Sequence, residues 1–511
     1  MTQRQIPRRS PLFLPKVQRY DWHEGCTKVC AFKRPTEASA ASIIVPSNHG
    51  VLTEQRIDTG FEGLMQFHRQ IPISKGVAAL AAVVVGAIAL PAGVSFAEDL
   101  NPFRVFTDSG PVTASEKARR EQVRTDLYDR LSPSYRMTAP FVSEQSIAAM
   151  QQAIERYRSI VAAGGWPAVP EKVTIRRGDT SPEIATIRRH LIIEGDLPPG
   201  STLDPTFDEA FLIGLARFQI RNGLRVSGFV DQRTLRALNV PASERLQQLQ
   251  TNLTRLQQLM PITKTPRYVL VNVPSYTTQA IQNGTVALES NVVVGKPQRQ
   301  TPRISAKIVE VNFYPTWSVP DSVARKDLIP TIRKNPNYFY EQHFSVMPDW
   351  KAKPLDPAAV DWAAPEVVSY KFRQDPGPHN ALGVVRINMP NKEAVYMHDT
   401  PLKQIFGQSA RAFSSGCVRV ERVLDLVTWL LSDQNGWGAE KVQAAASSGE
   451  SISVKLKKPV PVHFVYLSAF AQEDGVVQFR PDIYGRDATF GDGVDDEGDA
   501  VVAQQSRAIT P

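Results

Sequence analysis

The chain is poor in cysteine. Its three cysteines stand at positions 26, 30 and 417 of 511 residues, so everything after residue 97 holds a single thiol. That excludes a disulfide framework for the larger part of the chain. Long apolar runs are also scarce. The one prominent uncharged apolar run, VAALAAVVVGAIAL at 77–90, falls short of the about 20 residues that span a bilayer as a helix. Metal-ligand spacing is missing too. His343, His379, His398 and His463 follow no ligand pattern, Cys26 and Cys30 have no second pair of ligands, and the acidic run from Asp492 to Asp499 lacks calcium-loop spacing. No metal and no cofactor is therefore expected. Positive charge is less abundant than the formal +8 implies: residues 1–97 hold 11 Lys and Arg against 6 Asp and Glu, which leaves +3 for the rest. No nucleic-acid partner is expected from that balance. With 42% apolar and 22% charged residues, the composition is that of globular domains and excludes a wholly disordered, collagenous or polytopic membrane chain.

The first 97 residues read as a leader. Arg69 and Lys75 precede the apolar run, and Pro91, Gly93 and the small-residue site Ser95-Phe96-Ala97 follow it, which is the secretory signal pattern. Cleaved signal and uncleaved inner-membrane anchor both stay open, since only Pro91, Gly93 and Ser95 interrupt the stretch as far as Phe96. Counting from Met65 gives a leader of conventional length, so Met65 is the expected start, with 1–64 a mis-called extension or else a cytoplasmic tail. Residues from 98 onward are expected in the periplasm.

At roughly 100 to 200 residues per domain, two to four domains are expected, of a multidomain α+β class. A helical scaffold is predicted over 98–172, with helices from Ser115 to Leu131 and from Ser143 to Ala163. In the second, Ile147, Met150, Ile154, Tyr157 and Val161 recur at helical steps, Ser143 can cap the start and Gly164-Gly165 can close the end. A second unit at 173–240 carries helical faces at Ile184–Ile192 and Phe211–Ile220. A connecting helix over 241–264 places Leu246, Leu249, Leu253, Leu256 and Met260 on one side. Beyond Pro266 the pattern alternates, with arms at 268–281 and 285–295 around an Asn283-Gly284 turn that predicts a hairpin and a β-rich domain over 265–435. A Pro-rich and aromatic-rich insert at about 318–378 is either a mobile lid or a packing subdomain. Residues 436–487 are assigned to the scaffold and 488–511 to an acidic tail.

The chemistry-bearing segment is YMHDTPLKQIFGQSARAFSSGCVRVERVLDLVTWLL at 396–431. Cys417 is an unpaired thiol flanked by Ser415, Gly416 and Arg419, neighbours foreign to an apolar core. The apolar residues Val420, Val423, Leu424, Val427 and Leu431 are helically spaced, which predicts that Cys417 lies just before or at a helix start, where amides and dipole favour a thiolate. His398, at the end of the strand AVYM and before a turn containing Pro401, is the candidate general base. Successive amides near Gly416 could cradle an oxyanion. Together these residues suit acyl transfer. Tyr396, on that strand, and Asn380, just after the insert, are candidates for substrate contact.

The pair His398-Asp399-Thr400-Pro401 and Ser414-Ser415-Gly416-Cys417-Val418-Arg419 resembles the signature of the L,D-transpeptidase catalytic domain of YkuD type. NFYPTWSVP at 312–320, PGPHNALG at 376–383 and the tail at 460–487 are similar to its large Gram-negative subfamily. The string FQIRNGLRVSGFVDQRTLRALN at 218–239 resembles the repeat of the three-helix peptidoglycan-binding domain, as a glycan binder or as a spacer. The resemblance implies a mostly-β catalytic domain with an inserted lid, a Cys417 thioester, His398 as base and acid, and Ser415 and Gly416 lining the oxyanion pocket. It also implies Arg419 holding the loop or a substrate carboxylate, and peptidoglycan stem peptides and glycan strands as partners. No triad carboxylate is required by that pattern, because a backbone carbonyl can orient the imidazole. A wall cysteine peptidase or carboxypeptidase, with water as acceptor, and a non-catalytic wall-binding protein are the competing readings.

Overall fold

The computed structural model describes residues 114–137 and 139–487; the expected leader at 1–97 and acidic tail at 488–511 lie outside the described residues. Six helices come first: α1 (Ala114–Leu131), α2 (Glu144–Ala162), α3 (Pro182–Glu194), α4 (Glu209–Arg221), α5 (Gln232–Leu238) and α6 (Ala242–Leu259). No helix of the described residues is long and apolar enough to cross a membrane.

Short polar side chains start several of these helices. Ser143, Asp208 and Asp231 accept the backbone N–H of Ser146, Phe211 and Thr234, each satisfying an amide that has no intrahelical partner. The end of α2 is set by Gly164 and Gly165, both at positive φ, whose amides donate to the Val161 and Ile160 carbonyls at 3.0 and 2.8 Å. Helices α3 to α5 bury Ile184, Ile187, Phe211, Leu215, Phe218 and Leu238 in one core. Each such side chain adds roughly 1.5–3 kcal/mol by leaving water.

The strands β1 (Arg267–Asn272), β2 (Thr277–Gln282) and β3 (Thr285–Gly295) make a meander. Asn283 and Gly284, at φ 50 and 76°, supply the left-handed pair that a two-residue turn demands. The arm expected at 268–281 is two strands rather than one. Pro274 has no N–H for a ladder, and the chain reverses there, with the Tyr276 amide donating to the Val273 carbonyl at 3.2 Å. After β4 (Ile304–Phe313) the insert contributes β5 (Trp317–Ser318), α7 (Asp321–Val323), α8 (Ile329–Lys334), α9 (Asn337–Glu341), β6 (Phe344–Met347) and β7 (Lys371–Gln374). Its three strands form their own sheet around Trp317, Phe339, Phe344 and Phe372.

The chain then returns through β8 (Val385–Asn388), β9 (Met397–His398), β10 (Ala412–Ser414), β11 (Val418–Val420), α10 (Val423–Leu431), α11 (Ala439–Ser447), β12 (Ile452–Val465), β13 (Ala469–Ala471) and β14 (Val477–Phe479). The large sheet has the order β10-β3-β11-β9-β8-β4-β12-β1-β2, and β2 pairs again with β3. The boundary expected at 435 is corrected by β12, which pairs parallel with β1 and antiparallel with β4. The β-rich domain therefore extends through β12, whereas β13 and β14 belong to the core around α2 and α6. Pairing between strands so far apart in sequence leaves no local signal. Because side chains alternate across a sheet, Val269 and Val271 face the core shared with α10 and α11, whereas Tyr268 and Leu270 face α2 and α6. This two-sided burial joins the helical scaffold to the sheet.

Candidate active site

Two very short strands build the site. β9 and β11 run parallel, with Met397 opposite Val418 and His398 opposite Arg419, and the Val418 amide donates to the Tyr396 carbonyl at 3.0 Å. Met397, Val418 and Val420 enter the core. By the two-residue period of a strand, Tyr396, His398, Cys417 and Arg419 then share the opposite face. The expectation that Cys417 opens a helix is corrected here. Residues 418–420 are strand and α10 begins only at Val423, so Cys417 does not stand at the start of α10. The apparent helical spacing mixed Val420 of the strand with genuine positions of α10.

Cys417 is half-buried. Burial pushes its thiol up to about 11, against hydrogen bonding from Tyr396 and the charge of Arg419. The remaining solvent contact moderates that rise but leaves the thiol protonated at neutral pH. His398 is fully buried. Burial and the Arg419 guanidinium push its imidazole down to about 3, outweighing the Asp399 and Leu382 carbonyls. Its Nδ1 lies 2.5 Å from the Asp399 carbonyl oxygen. A carbonyl can only accept, so Nδ1 carries the proton and Nε2 the lone pair, and Nε2 has no partner in hydrogen-bond geometry. The resting site thus holds a neutral thiol and a neutral base rather than an ion pair.

The carboxylate of Asp399 points elsewhere. It accepts the Val384 N–H at 3.1 Å and pairs with Lys403, and a Cβ on Gly383, at φ 61°, would stand 2.4 Å from its Oδ2. The side chain thereby anchors the peptide whose carbonyl orients the imidazole.

The loop ahead of the thiol is braced from several sides. Ser414 Oγ donates to the Cys417 carbonyl at 2.5 Å and accepts the Gly416 N–H at 3.1 Å. Thr301 Oγ1 donates to the Gly416 carbonyl at 2.9 Å and accepts the Gly295 N–H at 2.8 Å. Gly416 sits at φ 119°, a region that side chains avoid. Ser415 Oγ accepts from Arg299 Nη1 at 2.7 Å, and Arg299 is paired with Asp327. The Gly416 amide and the Ser415 hydroxyl are thus engaged in fixing the loop. Sequence reasoning gave no role to the Ser414 hydroxyl, although Ser414 begins the S-x-G-C motif. It missed Thr301 and Arg299, which no local pattern connects to Cys417.

Asn380 is also corrected. It is fully buried, its amide donates to the Pro315 and Asp375 carbonyls at 3.0 and 2.9 Å, and its Oδ1 accepts from Leu382 N–H at 2.8 Å. It clamps a loop and has no hydrogen-bonding capacity turned to a substrate. Tyr396 packs edge-on to His398 with ring centres 5.7 Å apart and touches both the sheet core and the core of the insert. Burial, followed by the neighbouring Cys417, pushes its phenol well above the usual range. Arg419 is 3% exposed, and burial lowers its guanidinium to about 10, so it remains charged at neutral pH. Among the described residues no group of three or more His, Cys, Asp or Glu could hold a metal ion.

Residues 266–462 match the family model described as the L,D-transpeptidase catalytic domain, YkuD. A curated Haemophilus influenzae protein named "Putative L,D-transpeptidase" is 34% identical over 249 residues, 48% of this chain and 50% of that protein. The chain thus spans about half the length of the curated relative it matches. Solved structures that align with the chain include an L,D-transpeptidase from Xylanimonas cellulosilytica (14% identity, 58% of this chain and 98% of that one, TM-score 0.19). Another is L,D-transpeptidase 3 from Mycobacterium tuberculosis (11% identity, 39% and 61%, TM-score 0.20). Scores this low carry no weight, and the assignment rests on the family model and the Haemophilus relative. The segment that holds Cys417 and His398 is thus similar to the L,D-transpeptidase catalytic domain of the YkuD type.

Proposed function

We propose that the chain is a cell-wall L,D-transpeptidase that crosslinks peptidoglycan in the periplasm through a thioester on Cys417. The observation that carries this reading is the placement of Cys417 and an imidazole with a free Nε2 lone pair on one face of adjacent strands, within the YkuD-type segment.

Cys417 Sγ attacks the carbonyl of the bond between the L-centre and the terminal D-Ala of a tetrapeptide stem, and its proton passes to His398 Nε2 as the C–S bond forms. Collapse of the tetrahedral adduct breaks the C–N bond, and the imidazolium returns the proton to the departing D-Ala amine. The thioester is then attacked by an acceptor amine, which gives its proton to Nε2, and the sulfur leaves as the thiol. In this scheme the proton moves only while a carbonyl carbon is under attack, as the neutral resting pair requires. Tyr396, whose phenol neighbours the thiol, contacts the reacting carbonyl or its stem, and Arg419 supplies the positive charge that discourages protonation of His398 at rest. The insert at 318–378 acts as a lid over the stem, and 173–240 as the unit that holds glycan.

Incubating the protein with purified tetrapeptide muropeptides and reading the products by mass tests the proposal. The expected products are crosslinked dimers with one free D-Ala per link. Tripeptides without dimers would instead make the chain a cysteine carboxypeptidase, and unchanged substrate would end the assignment.

A further inference from the structure

The three residues ahead of Cys417 are each held by one segment, 295–301, in the connection from β3 to β4. The Lys296 N–H donates to the Ser414 carbonyl at 2.9 Å, Arg299 Nη1 to Ser415 Oγ at 2.7 Å, and Thr301 Oγ1 to the Gly416 carbonyl at 2.9 Å. The segment is itself fixed from late in the chain: the Tyr484 hydroxyl accepts the Thr301 N–H at 3.1 Å and donates to the Gly295 carbonyl at 2.5 Å. The clasp at Ser415 also reaches into the insert. Arg299 Nη1 donates to Asp327 as well, and Nη2 donates to Asp327 Oδ1 at 3.0 Å. Asp327 lies in a single π-helical turn, Ala324–Leu328, widened where Pro330 has no N–H to continue the regular ladder. Ala324, Leu328, Ile329 and Ile332 around it are buried in the core of the insert, and Thr331 Oγ1 donates to its carbonyl at 2.8 Å. The carboxylate is therefore carried by a packed element. Arg299 and Asp327 are only 15 and 21% exposed, so water and salt screen the pair less than one on the open surface.

Resting on Cys417 as the acylated nucleophile, we infer that Arg299 is a positioning residue for it and that Asp327 of the insert holds Arg299 to that task. A planar guanidinium can give a carboxylate two parallel N–H bonds and a hydroxyl a third, so the carboxylate fixes the angle at which the fork meets Ser415. Without Asp327 the guanidinium is free to turn toward water, and Ser415 loses its clasp. Gly416, at φ 119°, brings no side chain that would resist a swing of the loop. The sulfur must meet a carbonyl carbon while its proton faces His398 Nε2, and a displacement of about 1 Å costs such a reaction roughly a hundredfold. Binding of a substrate carboxylate by Arg299 is disfavoured, because its fork is already filled by Asp327. One side chain thereby transmits the seating of the insert to the nucleophile.

Transfer of the acetyl group of p-nitrophenyl acetate to Cys417 in the full chain, read by mass on the peptide that contains it, tests this without any wall peptide. The sulfur forms the new C–S bond, p-nitrophenolate leaves as the C–O bond breaks, and the thiol proton passes through His398 Nε2 to water. Asp327→Asn and Ser415→Ala should each slow the transfer roughly tenfold, and the double variant should be no slower than the slower single one, because both cut the same connection. Arg299→Lys should fall to the same level, since an ammonium has no fork. Alkylation of Cys417 by iodoacetamide, which needs the thiolate but no oriented carbonyl, should change less than about twofold in all of them. Acetyl transfer at the wild-type rate in Asp327→Asn overturns the inference. So do slowing factors that multiply in the double variant, and so does alkylation that falls in step with acetyl transfer, which would trace the loss to ionisation or access of the thiol. The two readings fail separately: wild type that takes no acetyl group on Cys417 refutes the thioester and this inference with it, whereas equal transfer in wild type and variants refutes this inference alone.

Discussion

Two groups of buried ionisable side chains in this molecule are built in opposite ways. In the helical part, Arg221 reaches Asp196 with Nε at 2.8 and 2.9 Å and Nη2 at 2.6 Å, and also pairs with Glu194. Glu194 in turn accepts from the Tyr157 hydroxyl at 2.6 Å and meets His190 Nε2 at 2.9 Å, while His190 stacks on Trp166. Burial pushes both carboxylates up. At Glu194 the charges of Arg221 and His190 outweigh it, whereas at Asp196, which shares Arg221 with Glu194, burial wins. On the sheet, by contrast, His398 and Arg419 are buried side by side with no carboxylate between them, and each nearby charge disfavours another. A cluster satisfied by opposite charges holds α2, α3 and α4 together. A cluster left without them costs stability and keeps a base unprotonated, the mark of a functional site.

That contrast predicts separable failures. The largest effect belongs to Cys417→Ala, which should abolish dimer formation from tetrapeptides while leaving the melting temperature within about 2 °C of wild type, since little packing is lost; residual crosslinking would show another nucleophile. Next, His398→Gln should slow thioester formation roughly 10²–10⁴-fold, the range for a lost general base, as measured by single-turnover mass spectrometry. Arg221→Met should do the reverse. Removing one member of a buried charge cluster costs about 3–5 kcal/mol, visible in urea unfolding, with Cys417 acylation in the folded protein unchanged.

A smaller effect sharpens the comparison in acid. The imidazole of His398 has a folded value of about 3 against about 6.5 unfolded, so between these pH values the unfolded state binds the extra proton and stability falls as pH falls. The fall contributed by this one group reaches at most roughly 1.4 kcal/mol per pH unit. His398→Gln should therefore show a shallower loss of stability than wild type from pH 6.5 down to 4, and no difference in slope above pH 7. Parallel curves over the acidic range would mean that His398 is not held neutral by its surroundings.

Much of this was legible in the sequence, and what was not has a common cause. The Ser143 cap, the Gly164-Gly165 stop and the Asn283-Gly284 turn are local chemistry, and the structure forms all three. Cys417 and His398 announced themselves through motif and isolation. The bracing by Thr301 and Arg299 and the place of β12 between β4 and β1 arise from pairing between distant segments, which no window of sequence displays. The misreading of Cys417 as a helix start has a different origin. A three-residue strand followed closely by an apolar helix offers too few positions to separate a period of 2 from one of 3.6, so Val420 was counted with α10. Asn380 was misjudged because proximity to the motif says nothing about whether a polar group is already satisfied by backbone.

The pH dependence of Cys417 alkylation by iodoacetamide, followed by intact mass on the folded protein, tests the central claim that the resting site is neutral. With the thiol pushed up to about 11, the rate should climb roughly tenfold per pH unit from 7 to 10, following the thiolate fraction, with no plateau between pH 5 and 8. A rate that instead levels off above an inflection between pH 5 and 7 would reveal a preformed thiolate–imidazolium pair and contradict the account.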